Sequence, residues 1–429
     1  MLSRRVLLEG IGCGVSCAIL PGPAQAAKSS APFRVLHARA AVMSAEEGGR
    51  TPGPLLAYDG HIPGPVLRMR QGEELNLRLF NDLPEPPSLH WHGVRLPNAM
   101  DGAPNVTQPP IAPGTSFDYR FRPPDAGTFW YHAYSSEQAD RGLHGAFVVE
   151  EAAPVHADRD LVLVLGMPAE TGTLSPELFL VNGAQRPAIP VSPGEQLRMR
   201  FINATSARGA SLKLEGHVPW IMAIDGQPAE PFLLREGRIG IAPGGRVDVL
   251  VDATASAGTS APLLAGASPH EEHVIARLVY QAAGVAQTGD RRRSFPASAP
   301  PPLPSNPLPA RIDLKTALVA DMTIADGAHS GRAVVGESRP LFSVRRGRAV
   351  NLGLHLSSAE PRVVHVHGHH FRLLDRLDDG WKPYWLDTLV VSETTERIAF
   401  LADNPGRWLI EHRALESKGA GSAAWFVVS

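Results

Sequence analysis

One phrase occurs three times along the 429-residue chain and constrains its fold more than any other feature. Each copy is a Gly followed by a run in which apolar residues recur at every second position. The copies are Gly72–Leu79, Gly194–Phe201 and Gly347–Leu354. A period of two is typical of a sheet with one buried face and one face exposed to solvent. The recurrence predicts an all-β protein built from three β-sandwich domains of one kind, with little helix.

Pro-rich and small-residue segments divide the chain into these domains. We predict domains at residues 33–151, 158–283 and 312–429, with a Pro-rich linker at residues 294–311. We interpret the linker as a semi-rigid, extended segment that contributes nothing to a hydrophobic core.

The first 26 residues predict an export signal. Arg4 and Arg5 precede an apolar run, and Ala24–Ala26 supplies a small-residue cleavage site. The arginine pair resembles a twin-arginine signal, which exports folded proteins, and a general secretory signal is the alternative. The apolar run is shorter than the ~20 residues that a membrane-spanning helix needs. We therefore expect a periplasmic or secreted protein with no transmembrane segment in its mature chain.

Charge and cysteine content exclude several functions. The formal net charge is -2 and no basic stripe is present, so nucleic acid is not expected as a partner. Both cysteines, Cys13 and Cys17, lie inside the predicted signal. The mature chain therefore has no thiol for a disulfide, a nucleophile or a metal ligand.

Histidines are concentrated in three short phrases. These are HWHG at residues 90–93, WYHAY at 130–134 and HVHGH at 365–369. Side chains at positions i and i+2 of a strand project to the same face, so a His-x-His phrase places two imidazoles side by side. Neutral imidazole is a common ligand for copper, zinc and iron. A lone histidine is more often a satisfied polar group, but two such phrases, each closed by Gly, favour a metal site between the first and third domains.

These phrases, in this order, resemble the multicopper oxidases, a laccase-like family of three cupredoxin domains. The resemblance also rests on SLHWHGVRLPNAMDGAPNVTQPPIAPG, on VNGAQRPAIPVSPGEQLRMRFINA, and on VVHVHGHHFRLL, WLDTLVV and ADNPGRWLI. It covers nearly the whole mature chain. It implies three cupredoxin-like Greek-key β-sandwiches and copper as the cofactor.

The chain departs from the family pattern at the blue, or type 1, copper. Family members hold this ion with a Cys, two His and usually a Met. The corresponding positions are His412 for the Cys, Arg362 and Ser417 for the histidines, and Ser422 for the Met. None carries its expected residue, so no type 1 copper is expected.

The family's trinuclear copper cluster is retained in part. Five of its eight histidine positions keep histidine, namely His90, His92, His132, His365 and His367, and the other three are Tyr134, Glu411 and Arg413. By resemblance, His90 and His365 are the complete pair that holds the type 2 ion. His92 and His132 face Arg413, a permanent cation that opposes a second ion and pairs with Glu411 or Asp101. His367 joins Tyr134 and Glu411 in an oxygen-rich set that also suits iron(III), manganese or zinc. We expect one or two copper ions.

Two acidic residues are candidates for catalytic proton transfer. Asp101 matches an acidic residue that is associated with proton delivery in relatives, and the alternative is a turn-forming Asp-Gly pair. Glu411 is the second candidate.

The leading hypothesis is an exported copper-binding protein with its site between domains 1 and 3. If it is active, it is a copper-dependent oxidoreductase whose small-molecule substrate meets the metal directly, and it is not a conventional laccase. The alternative is a catalytically inactive cupredoxin-fold scaffold that binds a protein of the cell envelope. Resemblance supplies a precedent for the scaffold, because a copper-free relative functions in bacterial cell division. Copper storage is a third possibility, although Met-rich and His-rich loops are absent from the sequence.

Overall fold

Short runs of alternating apolar residues, bounded by Gly and Pro turns, give this chain an almost entirely β structure. The computed structural model describes residues 32–41, 55–153, 155–167, 178–234, 236–266, 271–281, 299–325, 339–375, 380–381, 383–416 and 421–429. In these ranges it has a single α-helix, α1 (Ser136–Asp140), and one 3-10 helix, Asn98–Met100. The predicted low helix content is confirmed. No helix in these ranges is both long enough and apolar enough to cross a membrane.

The first sheet pair lies between residues 34 and 150. Its strands are β1 (Arg34–Ala40), β2 (Leu56–Tyr58), β3 (Gly64–Arg70), β4 (Leu75–Asn81), β5 (Leu89–His92), β6 (Ser116–Phe121), β7 (Gly127–Ala133) and β8 (His144–Glu150). One sheet has the order β2-β1-β4-β6 and the other β3-β8-β7-β5. Their facing side chains, which include Leu77, Trp91 and Phe147, form one hydrophobic core.

The second sheet pair lies between residues 159 and 280. Its strands are β9 (Arg159–Gly166), β10 (Leu180–Val181), β11 (Ala188–Val191), β12 (Gln196–Asn203), β13 (Ala210–Leu214), β14 (Trp220–Ile224), β15 (Gln227–Leu233), β16 (Arg238–Ile241), β17 (Arg246–Asp252), β18 (Ser260–Ala265) and β19 (His273–Tyr280). The sheet orders are β10-β9-β12-β17-β14-β15 and β11-β19-β18-β13-β16. The core between them contains Leu197, Phe201 and Ile275.

The third sheet pair lies between residues 318 and 428. Its strands are β20 (Leu318–Ala325), β21 (Ser343–Val344), β22 (Arg348–Ser357), β23 (Arg362–Val366), β24 (Phe371–Asp375), β25 (Gly380–Trp381), β26 (Thr388–Val391), β27 (Thr395–Ala402), β28 (Gly406–Ala414) and β29 (Ser422–Val428). The sheet orders are β20-β22-β27-β24-β25 and β21-β29-β28-β23-β26. Leu352, Trp408 and Phe426 lie in its core.

The three recurring phrases form equivalent strands, β4, β12 and β22. Each pairs in parallel with the first strand of its sandwich, β1, β9 or β20. Each also pairs antiparallel with a later strand, β6, β17 or β27. The predicted all-β class of three sandwiches is confirmed, whereas the domain boundaries stay a prediction.

The prediction of one exposed face is wrong for β12, which is buried along nearly its whole length. The polar face of β12 packs against the first sheet pair. Arg198 forms ion pairs with Glu151 and Asp248, and Arg200 donates hydrogen bonds to Asp160 and Asp248. Buried guanidinium groups tolerate this position because carboxylates accept their hydrogen bonds.

The interpretation of the Pro-rich linker as a segment outside any core is also wrong for its described part, residues 299–311. Leu303 is buried with Met222 and Leu250 of the second sheet pair. Asn306 donates hydrogen bonds to the Ala126 carbonyl and the Gln227 side chain. This segment is therefore an extended strap that packs against two sheet pairs.

Candidate metal centre

Strands of the first and third sheet pairs place the predicted histidines. His90 and His92 lie on β5, and His132 lies opposite His90 on the neighbouring β7. His365 lies on β23, directly opposite Glu411 of β28. His367 follows the end of β23. Because alternate residues of a strand share a face, both His-x-His phrases direct their imidazoles towards one interface.

The structure brings all five predicted histidines together in a buried cluster. The Nε2 atoms of His90 and His365 are 3.3 Å apart, although the residues are 275 positions apart in sequence. The ring centroids of His92 and His365 are 3.7 Å apart, and His132 lies 5.3 Å from His90. The ring centroid of His367 is 4.1 Å from that of His90.

Backbone carbonyls fix the tautomers of three rings. The Nδ1 atoms of His90, His132 and His365 lie 2.8–2.9 Å from the carbonyl oxygens of Asp101, Ala133 and Asp387. A carbonyl only accepts, so each Nδ1 carries the hydrogen and each neutral ring leaves a bare lone pair on Nε2.

Burial keeps two of these rings, His132 and His365, neutral. It lowers the pKa of His365 to about 4 and, with the neighbouring His90, holds that of His132 well below 6.5. The Nε2 atoms of His90 and His365 face each other while both Nδ1 atoms are hydrogen-bonded to carbonyls, so a cation between them would bind both nitrogens. With metal–nitrogen bonds of about 2.0–2.1 Å, two ligands of one ion lie no more than about 4 Å apart. The distance and the imidazole donors both fit a divalent copper or zinc ion.

His92 has the opposite tautomer. Its Nε2 atom lies 2.9 Å from the Thr388 hydroxyl, which donates its own hydrogen to the Asp387 carboxylate. The hydroxyl must therefore accept from His92 Nε2, which leaves the lone pair on Nδ1.

His367 lies between two carboxylates. Its Nδ1 is 2.9 Å from Asp101 Oδ2, and its Nε2 is 3.5 Å from Glu411 Oε2. Although burial opposes it, these carboxylates raise the pKa of His367 to about 10. Without a metal ion His367 is an imidazolium, so a metal ion bound there would displace a proton. Asp101 is buried against His90 and His367, which favours the functional interpretation over a simple turn residue.

The residues that replace the remaining histidines form their own contacts. Glu411 accepts a hydrogen bond from the Tyr134 hydroxyl. Arg413 Nη2 lies 3.9 Å from Glu411 Oε2, so of the two predicted partners it is nearer to pairing with Glu411.

A small cavity of about 20 Å³, enough for a water-sized molecule, adjoins the cluster. All three sheet pairs line it, with His92 and His132 from the first, Ser206 and Gly244 from the second, and Arg413 from the third. A water-sized molecule in this cavity would reach three of the clustered histidines, because His365 lines it as well.

The type 1 copper positions hold other chemistry. His412 is buried on β28, and its pKa is lowered to about 4 by burial and by the cation of Arg362. Ser422 lies opposite His412 on β29, and Ser417 is outside the described residues. The described positions offer no thiolate and place a guanidinium where an imidazole is expected.

Sequence reasoning missed three residues behind the cluster. Asp387 and Thr388 contact both His92 and His365, and Arg246 forms a buried ion pair with Asp387. The WLDTLVV stretch holds the first two but gives no sign of a site by its spacing.

Comparisons with known proteins identify the family. Sequence profiles described as multicopper oxidase match residues 41–154, 125–281 and 306–429. A multi-copper oxidase from Pseudomonas thermotolerans has 31% identity and a TM-score of 0.78, with 93% of this chain and 99% of that chain covered. One from Pseudomonas parafulva has 27% identity and a TM-score of 0.76, with 92% and 100% covered.

Curated relatives give the same family. Multicopper oxidase MmcO of Mycobacterium tuberculosis is 29% identical over 83% of this chain and 80% of its own. A copper resistance protein A homolog of Pseudomonas syringae pv. tomato is 30% identical over 46% of this chain, a match that spans only 44% of the relative. With three matching profiles and the same three sandwiches, this chain belongs to the multicopper oxidase family and has its cupredoxin fold.

Proposed function

We propose that the protein binds one or two copper ions at the interface between its first and third sheet pairs. His90 and His365 hold the first ion, with His92, His132 and His367 as further ligands. The observation that carries this proposal is the 3.3 Å approach of the Nε2 atoms of His90 and His365, whose Nδ1 atoms donate to backbone carbonyls. Copper supplies redox chemistry when bound.

Elemental analysis of the full-length protein, produced through its own export route, tests the proposal. We expect about one or two copper ions per chain, and their loss in His90→Ala and His365→Ala. The control is His37→Ala, because His37 is a partly exposed residue paired with Asp82 outside the cluster. A wild-type protein that retains no metal, or His90→Ala and His365→Ala proteins that retain it fully, would contradict the proposal.

We further propose an atypical copper-dependent oxidoreductase with no type 1 copper relay. An electron donor would have to meet the cluster directly at the mouth of the adjoining cavity, because the two cysteines of the sequence, Cys13 and Cys17, lie in the predicted signal and leave none for a Cys-His bridge. Asp101 and Glu411 would carry protons at their carboxylates, since both contact His367. The purified copper protein should show no blue absorption band and no phenolic-dye oxidation of the laccase type. A blue band or dye oxidation of this type would contradict the proposal that the protein has no type 1 copper relay.

A metal-free scaffold of the cell envelope is the second candidate. The observation that favours it is the ion pairing of His367 with Asp101, which satisfies part of the cluster without a metal ion. A metal-free protein that stays folded after His90→Ala and His365→Ala would support the scaffold.

Export is also a proposal, because residues 1–26 lie outside the described residues. We expect the twin-arginine route to fail when Arg4 and Arg5 are both replaced by Lys. Fractionation of cells that express the full chain, followed by N-terminal sequencing, measures both the location and the cleavage after Ala26. Unchanged export of the double-Lys variant would contradict the route.

A further inference from the structure

Arg246 lies on β17 of the second sheet pair. All five N–H groups of its guanidinium donate hydrogen bonds. Its donors reach the carbonyls of Thr128, Gly244 and Asp225 and both carboxylate oxygens of Asp387. A guanidinium has five N–H donors, so this set leaves none free. The acceptors come from all three sheet pairs, which fixes Arg246 rigidly at the point where the pairs meet.

Asp387 transmits this fixed position to the histidines. Arg246 forms a bidentate ion pair with the Asp387 carboxylate, with Nη1 2.8 Å from Oδ1. The charged carboxylate then accepts the Thr388 hydroxyl hydrogen at 2.8 Å, and that hydroxyl accepts from His92 Nε2.

The same residue also fixes His365. The His365 Nδ1 atom donates to the Asp387 carbonyl at 2.9 Å and lies 3.5 Å from its Oδ1 atom. Asp387 therefore determines which nitrogen of His92 and which nitrogen of His365 stays bare towards the cluster. Outer partners of this kind orient metal-binding imidazoles and make them more basic.

We propose that Arg246 is a positioning residue for the metal ligands His92 and His365, acting through Asp387 and Thr388. The inference rests on the proposed metal site. It adds that the second sheet pair, which supplies no proposed ligand, controls the orientation of the ligands. Without Arg246, the Asp387 carboxylate is free to turn and to compete directly for the His92 proton. Both rings then lose their fixed orientation.

Arg246→Met tests the proposal against a purely structural role. The matched control is Arg95→Met, since Arg95 also forms a buried two-point ion pair, with Asp125, and reaches Asp403, without touching the candidate ligands. Competition titration gives the Cu2+ dissociation constant, and electron paramagnetic resonance reports the coordination geometry. We expect Arg246→Met to weaken Cu2+ binding by about 10- to 100-fold and to alter the spectrum. Arg95→Met should lower the unfolding temperature and leave both unchanged.

Thr388→Val is the second variant, for the case in which Arg246→Met does not fold. It removes the hydroxyl between Asp387 and His92 with little change in volume, and we expect the same direction of change in affinity and spectrum. Wild-type affinity and spectrum in every folded variant of the pair would overturn the inference while leaving the metal site intact. A wild-type protein that binds no Cu2+ would overturn both this inference and the proposed function.

Discussion

Gly93 closes the first His-x-His phrase in a conformation that an ordinary side chain would not adopt easily. Its φ is +81°, and a Cβ there would lie 2.1 Å from Arg246 Nη2 and 2.5 Å from Asp387 Oδ2. The missing side chain lets this buried ion pair reach the back of the histidine cluster. Gly in this phrase therefore serves both the backbone turn and the ion pair.

Gly93→Ala should destabilise the protein more than Gly114→Ala does. Gly114 also has a positive φ, +71°, but a Cβ there meets nothing within 4 Å. We expect Gly114→Ala to cost about 1–2 kcal/mol from backbone strain alone. Gly93→Ala should cost about 1–3 kcal/mol more, because the Arg246–Asp387 pair must move. Urea unfolding of both variants measures the difference, and equal losses would show that the ion pair does not crowd Gly93.

His144 makes a prediction about pH. Burial lowers the pKa of His144 below 6.5, while its Nδ1 lies 2.9 Å from the Ala139 carbonyl. Below about pH 6.5 the unfolded chain binds a proton that the folded protein does not, so the His144 contribution to stability is lost as pH falls. His144→Gln should therefore lose stability less steeply than wild type from about pH 7 to about pH 5. Parallel curves of unfolding free energy against pH would contradict this.

At the residue scale, the sequence identified the ligands better than their supports. Four of the five histidines could be predicted because two His-x-His phrases direct pairs of rings to one face, whereas His132 lies in a separate phrase and follows from the family resemblance. Arg246 and Asp387 are 141 positions apart on strands of ordinary composition, so only the folded chain reveals their pairing. Asp101 was found through family resemblance and not through its spacing.

At the element scale, the period-two pattern located strands correctly but did not reveal what covers them. It predicts β4, β12 and β22, which form where expected. The half-buried Arg78 side chain of β4 fits the predicted exposed face in part, although Asn76 on the same face is buried. The arginines of β12 do not, because the first sheet pair covers them. The alternation of apolar and polar residues shows which side chains share a face of the strand. Whether the polar face is buried depends on the neighbouring domain.

The strap at residues 299–311 gives the element-scale prediction. Leu303→Ala should lower the free energy of unfolding by about 2–5 kcal/mol, because it opens a cavity against Met222 and Leu250. Ser305→Ala, at an exposed position two residues along, should change it by less than about 0.5 kcal/mol. Chemical denaturation measures both variants. A Leu303→Ala protein as stable as Ser305→Ala would restore the interpretation of this segment as a plain linker.

At the scale of the whole molecule, the number of sandwiches could be predicted but their arrangement could not. Three copies of one phrase indicate three domains, and the structure repeats the same parallel pairing in each. The meeting of the first and third sheet pairs was predicted only from the histidines that they share. The position of the second pair, with Arg246 behind the cluster, depends on complementary buried charges that no local pattern expresses.

Copper should stabilise the whole molecule, because its proposed ligands belong to two sheet pairs. At free Cu2+ about a hundred times the dissociation constant, binding adds about 2.7 kcal/mol to the free energy of unfolding. We expect a matching rise in unfolding temperature for wild type and none for His365→Ala. Mg2+ serves as the control ion, since it prefers oxygen ligands. An equal rise with Mg2+, or with His365→Ala, would contradict the prediction.

The distance of His90 from His365 along the chain has a consequence for biosynthesis. A nascent chain with β5 already made lacks the other half of the pair until 275 further residues have left the ribosome. Closing so long a loop is entropically costly for an unfolded chain. Filling of the proposed His90–His365 position would therefore be a late event that follows assembly of the sandwiches, and a truncated polypeptide ending before β23 would keep only the histidines of the first sheet pair.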